Sequence, residues 1–261
     1  MFIAAYAGAR PLGRPLPALA AAPGGGAAGD GDASLPLHLI YSFARDAAHD
    51  GVFTFYDPAQ LERAASQQHP TGQRGMLSLA GAGFAWGPAV PLQQWVENAA
   101  ASLEDLMTRY SLVGLDVNYE EGLDAGGFPE ALAALVAQLK AWRPSLLVTV
   151  VPFDCVWPHY RQLLQLAGSN IDYVNWQVYA ELESPHANAD QIVAAYERLA
   201  RELGGSYGRL TLGVNTEPEQ LRGPQLAACL DAFRRLKARG IGGAFTWALD
   251  NSAVNGCCAL M

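Results

Sequence analysis

Apolar and polar residues alternate along Leu112 to Gly122 (LVGLDVNYEEG) with the period of a β-strand, so Asp116, Asn118 and Glu120 share one face and Leu115, Val117 and Tyr119 the other. Seven more short runs read as strands: Phe2 to Ala7, Leu37 to Ala44, Arg74 to Ala80, Leu146 to Val151, Asp172 to Tyr179, Arg209 to Asn215 and Gly243 to Trp247. Between them the pattern becomes helical. Asp57-Pro58 reads as a cap and first residue of a helix that stops before His69-Pro70. Pro91 to Tyr110 carries Leu92, Trp95, Val96, Leu103, Leu106 and Met107 on one stripe. Pro129 to Trp142 repeats this with Leu132, Leu135, Val136 and Leu139. Further helices are expected over Pro158 to Ala167, Ala189 to Leu203 and Pro224 to Arg239, the last closed by Gly240.

Strands separated by single helices imply right-handed βαβ units and a parallel sheet. Eight of them predict an α/β fold, a single (β/α)8 TIM barrel over residues 1–261. The first connection is irregular. Arg10 to Ser34 is rich in Pro, Gly and Ala without a usable period, so 11–34 is read as a low-complexity loop in place of a helix. Fourteen residues follow the eighth strand, which predicts a truncated or absent eighth helix.

Composition narrows the function. A chain that is 51% hydrophobic and 16% charged describes a well-buried globular protein. Its net charge of −8 and pI near 5.1 argue against nucleic acid or an anionic membrane surface as partner, because both select clustered Lys and Arg. No apolar run reaches the roughly 18 residues of a membrane span. The opening MFIAAYAGARPLGRP lacks a basic segment ahead of its apolar stretch and reads as a first strand, so the chain as written is expected to be cytoplasmic. A longer form with a leader would be extracellular or vacuolar. Cys155, Cys229, Cys257 and Cys258 show neither metal-ligand nor disulfide-framework spacing, so free thiols are expected, with no metal and no cofactor.

In such a barrel, functional side chains gather at the carboxyl ends of the strands. Polar groups expected there are Asp116, Asn118 and Glu120, then Tyr173, Asn175, Gln177 and Tyr179 on the sixth strand, Ser78 on the third, and Trp247 with Asp250 and Asn251 at the eighth. They could simply hydrogen-bond one another in a polar interior. Two carboxylates with no cation nearby in sequence are costly to bury, however, unless one is protonated, as a general acid must be. A retaining glycosidase of the usual kind holds its two carboxyls roughly 5 Å apart. Asp116 and Glu120, four residues apart on a strand, stand about 13 Å apart at their Cα atoms. A glycosidase built on this strand therefore needs a nucleophile from elsewhere.

The segment GLDVNYE resembles the DGxDxDxE signature of glycoside hydrolase family 18, and other segments follow in family order. LHLIYSFA is similar to the second strand, MLSLAGAG to the SxGG motif, DYVNWQVY to the sixth-strand Gln-x-Tyr motif, and GGAFTWALDNS to the eighth-strand Trp. The likeness is greatest to the plant chitinase-like branch of bulb chitinases, narbonin and the RuBisCO-associated proteins. It implies retaining hydrolysis of β-1,4-linked N-acetylglucosamine polymers, with the substrate's own 2-acetamido carbonyl as the nucleophile. Carried over, Glu120 is the proton donor, Asp116 the inner carboxylate, and Asn118 and Tyr179 the groups facing the acetamido. Gln177, Trp247, Tyr6, Ser78 and Phe43 would complete the substrate-binding set.

Three positions depart from the family pattern: Val113 and Asn118 stand where Asp is usual, and Ala180 where Asn often is. Asn118 matters most, since an amide accepts the acetamido N–H but brings no charge to the cationic intermediate. The expectation is a chitinase-like hydrolase of reduced activity acting on chitin or N-acetylglucosamine oligosaccharides. The alternatives are a non-catalytic, lectin-like binder or a storage protein on the same barrel. An N-glycan endoglycosidase shares the mechanism.

Overall fold

The computed structural model describes residues 1–8, 36–66, 73–217 and 224–254. Eight parallel strands close on themselves: β1 (Phe2–Ala7), β2 (Leu37–Arg45), β4 (Gln73–Ala80), β5 (Gly114–Asn118), β6 (Leu147–Val150), β7 (Tyr173–Trp176), β8 (Leu210–Asn215) and β9 (Gly243–Trp247). Pairing of β1 with both β2 and β9 completes the ring. The remaining strand, β3 (Thr54–Phe55), is a two-residue antiparallel addition to the end of β2 that the sequence pattern did not reveal.

The helices are α1 (Pro58–Ser66), α2 (Leu92–Arg109), α3 (Phe128–Trp142), α4 (Trp157–Ala167), α5 (Val178–Glu181), α6 (Ala189–Glu202), α7 (Leu226–Lys237) and α8 (Leu249–Val254). Asp57 caps α1, its Oδ1 accepting the Gln60 N–H at 3.2 Å. Along α2 the buried stripe is Trp95, Val96, Ala99, Ala100, Leu103 and Met107, spaced to face the sheet. Leu92, expected on that stripe, is 39% exposed as the first residue of the helix. The low-complexity loop, the end of α1 at His69-Pro70, and Cys257 and Cys258 lie outside the described residues. Of the other thiols, Cys155 is free and exposed and Cys229 free and buried. The eighth helix is short, six residues within the described part.

Two apolar layers hold the barrel. The larger lies between the strands' outer faces and the helices, and the smaller fills the inside with Phe2, Ala4, Tyr6, Ile40, Met76, Val151 and Phe245. Closure depends on Gly243, where a Cβ would lie 1.8 Å from the Phe2 carbonyl oxygen across the β1–β9 seam. Overpacking a tight site costs about 1–3 kcal/mol. Gly243→Ala is accordingly expected to lower stability by at least that much in chemical denaturation. An unchanged midpoint would show that the seam can open.

Candidate active site

Strand β5 is short and buried throughout, with its ladder ending at Asn118. Asp116 points inward and is fully buried. Four donors surround its carboxylate, none of them a cation. Tyr6 Oη and Ser78 Oγ donate to Oδ2 at 2.8 and 2.7 Å. Thr149 Oγ1 and Asn175 Nδ2 donate to Oδ1, the latter at 3.2 Å, and Thr211 Oγ1 braces Asn175 from behind at 2.7 Å. Register explains the cluster, since Ser78, Asp116 and Thr149 are direct neighbours across β4, β5 and β6. Burial raises the Asp116 carboxyl from 3.8 to about 6, and the hydrogen bonds only partly oppose that rise.

A carboxyl raised on folding holds its proton more tightly in the native state. Its contribution to stability is therefore complete at low pH and is lost as pH rises through 3.8 to about 6. At about 1.36 kcal/mol per pKa unit the loss is roughly 3 kcal/mol. In Asp116→Asn the stability difference between pH 3.5 and pH 7 is expected to shrink by about that amount, measured by denaturant titration. Identical slopes in parent and variant would sink this account of Asp116.

Asn118 and Glu120 stand above this cage. Gln177 Nε2 lies 3.3 Å from Asn118 Oδ1, 3.3 Å from Glu120 Oε1 and 3.2 Å from the Val151 carbonyl, so one amide gathers the ends of β5 and β6. The Asn118 amide also lies close enough to Glu120 to favour its ionised form. Glu120 is half-buried just past the strand, and burial pushes its carboxyl upward against the pull of these two amides, with the charge of Glu121 adding to the rise. The turn is fixed from behind, where Tyr160 Oη accepts the Tyr119 N–H at 2.9 Å.

Tyr179 does not continue the strand as the alternation predicted. β7 stops at Trp176 because its neighbour β6 runs into Pro152, which has no N–H for the ladder, and Gln177 N donates to the Pro152 carbonyl at 3.0 Å. The chain then winds into α5. Tyr179 nonetheless packs edge-on to Phe245 at 6.4 Å, within the inner apolar layer. Burial keeps its hydroxyl protonated far above the ordinary range, with Glu120, Glu217 and Asp116 adding to the effect.

Trp247, half-buried, stacks on Phe43 at 5.7 Å and 22°, and meets the edge of Tyr6 at 5.6 Å. Tyr6 thus touches both Trp247 and Asp116, joining the aromatic wall to the carboxylate cage. Tyr6 and Ser78 are fully buried beneath the mouth as donors to Asp116, whereas Phe43 and Trp247 keep some exposure. Among the described residues no cluster of three or more His, Cys, Asp or Glu could hold a metal ion. No described helix is long and apolar enough to cross a membrane.

No family model matches the chain. Over 203 residues, 76% of this chain, it is 30% identical to Chitinase 1 of Tulipa saxatilis subsp. bakeri, and it spans 62% of that protein's length. The catalytic domain of a family GH18 chitinase from the fern Peteris ryukyuensis superposes with a TM-score of 0.77 at 27% identity, covering 97% of this chain and 93% of that one. In both sequence and fold the chain is thus similar to plant chitinases, the fern enzyme being one of family GH18. A family 18 chitinase from Crocus vernus shares the fold, with a TM-score of 0.78 at 23% identity over 98% of this chain and 95% of that one.

Several polar groups of this barrel were not singled out in its sequence. Thr149 is the one hydroxyl in the apolar run LVTV, a signal that an inward polar partner is needed. Glu217 lies past the end of β8 in no recognisable motif, yet it reaches Trp247.

Proposed function

We propose that this barrel is a chitinase-type glycoside hydrolase working by substrate-assisted catalysis, with its rate limited by Asn118. The observation that carries the reading is the half-buried Glu120 at the barrel mouth, its carboxyl raised by burial and therefore better able to keep a proton than an exposed glutamate. In this reading Glu120 gives that proton to the glycosidic oxygen as the C–O bond breaks. The carbonyl oxygen of the 2-acetamido group on the same sugar bonds to the anomeric carbon, forming a cyclic cation that water later opens with retention. Tyr179, kept protonated, donates to that carbonyl oxygen, and the exposed part of Trp247 forms the apolar floor under the ring.

Asn118 is the weak point. Its amide beside Glu120 favours the ionised form, opposite to what a proton donor needs. That single contact also favours a second reading, a binder of N-acetylglucosamine oligosaccharides that no longer cleaves them. Time-resolved proton NMR of chitotetraose separates the two. A hydrolase yields new reducing ends that are β-anomers first. Heat of binding in calorimetry with no reducing ends would leave the binder, and neither signal would exclude both.

A further inference from the structure

At the carboxyl end of β8 the chain reads Asn215-Thr216-Glu217, and this segment turns onto the end of β9. Thr216 N donates to the Trp247 carbonyl at 2.7 Å. Thr216 Oγ1 lies 3.0 Å from the Ala248 carbonyl and 2.9 Å from Ser252 Oγ, so the backbone that bears the indole is clasped from one side. Asn215 Oδ1 accepts the Glu217 N–H at 2.9 Å, a local turn that folds Glu217 back over the strand end. There Glu217 Oε1 accepts the Trp247 Nε1–H at 2.9 Å.

We infer that Glu217 is a positioning residue for Trp247, its carboxylate fixing the rotation of the indole so that the ring lies at the barrel mouth as a platform for a sugar face. An indole has a single polar handle, the Nε1–H, and whatever accepts it decides which edge of the ring turns inward. Stacking on Phe43 and the edge of Tyr6 confine the ring, but aromatic packing tolerates a broad range of offsets. A charge-assisted hydrogen bond is directional and roughly twice as strong as a neutral one. Glu217 also stands close enough to Tyr179 for its charge to raise the pKa of that hydroxyl.

The functional consequence rests on the proposed sugar site, while the positioning itself does not. Indole 15N–1H spectra of the free protein test the latter, with Trp247 assigned through Trp247→Phe. Glu217→Ala is expected to move that resonance, and Glu217→Gln, which keeps an acceptor of the same reach, to leave it nearly in place. Calorimetry with chitotetraose should then show binding about tenfold weaker for Glu217→Ala, equivalent to roughly 1.4 kcal/mol, and within about threefold of the parent for Glu217→Gln. Glu217→Asp, which keeps the charge but withdraws it by one methylene, is expected to behave like the Ala variant and serves if that one does not fold. An unmoved resonance in both Glu217→Ala and Glu217→Asp overturns the inference. So does parental affinity in those variants when Trp247→Ala has lost binding, an outcome that leaves the sugar site standing. A parent that gives no heat with chitotetraose defeats the sugar site instead, and the spectra still decide the positioning.

Discussion

Replacing Asn118 with Asp should raise the rate of fluorophore release from a chitotriose glycoside by about 10²- to 10³-fold, or roughly 3 to 4 kcal/mol of transition-state stabilisation. Two effects add. A carboxylate at this position, 5% exposed and beside the mouth, supplies the negative charge that a developing cyclic cation lacks when an amide stands there. The same carboxylate replaces a neutral amide beside Glu120 with a negative charge, which favours the protonated form and raises the Glu120 pKa above its present, already elevated value. The rate falls as pH rises through the pKa of the proton donor, so the alkaline limb of the profile should move to higher pH in Asn118→Asp. There is an opposing cost. A new buried carboxyl has a folded pKa above its unfolded one, so the variant should match the parent's stability at low pH and fall below it as pH rises through that range. An unchanged rate and an unchanged alkaline limb together would mean that position 118 does not face the reacting sugar.

How much of this was readable in the chain depends on which forces act at each position. The barrel was legible because parallel strands buried on both faces leave long apolar runs and helices between them leave a stripe, as β6 and α2 do. Alternation in LVGLDVNYEEG also placed Asp116 and Asn118 correctly on the inner face. It failed at Tyr179, because strand length is set by the neighbour in the ladder, and Pro152 just past the end of β6 is not visible in a local window of β7. It failed again at β3, where two residues pair only because the end of β2 offers a free edge. The four-donor cage around Asp116 is assembled from β1, β4, β6 and β7, so only the closed register shows why that carboxylate tolerates burial without a cation. Glu217 was invisible for the same reason, its partner being thirty residues away on another strand.

Glu120→Gln should lower the rate of the parent by about 10²- to 10⁴-fold while leaving chitotetraose affinity within about threefold. Gln has the shape of Glu, and its carbonyl oxygen can still accept the Gln177 N–H that Glu120 Oε1 now accepts at 3.3 Å, so the mouth keeps its geometry. What disappears is the transferable proton. Because the affected quantity is proton donation, the residual rate of Glu120→Gln should also lose the alkaline limb that the parent shows. Trp247→Ala makes the useful contrast, removing the floor and therefore weakening binding while Glu120 remains. A protein that only binds sugar would respond to Trp247→Ala and be indifferent to Glu120→Gln. A hydrolase responds to both, in different constants, and a rate left untouched by Glu120→Gln would remove Glu120 from the chemistry. The split between the two variants is thus a sharper measure than either alone, because it assigns proton and platform to separate residues at the ends of β5 and β9.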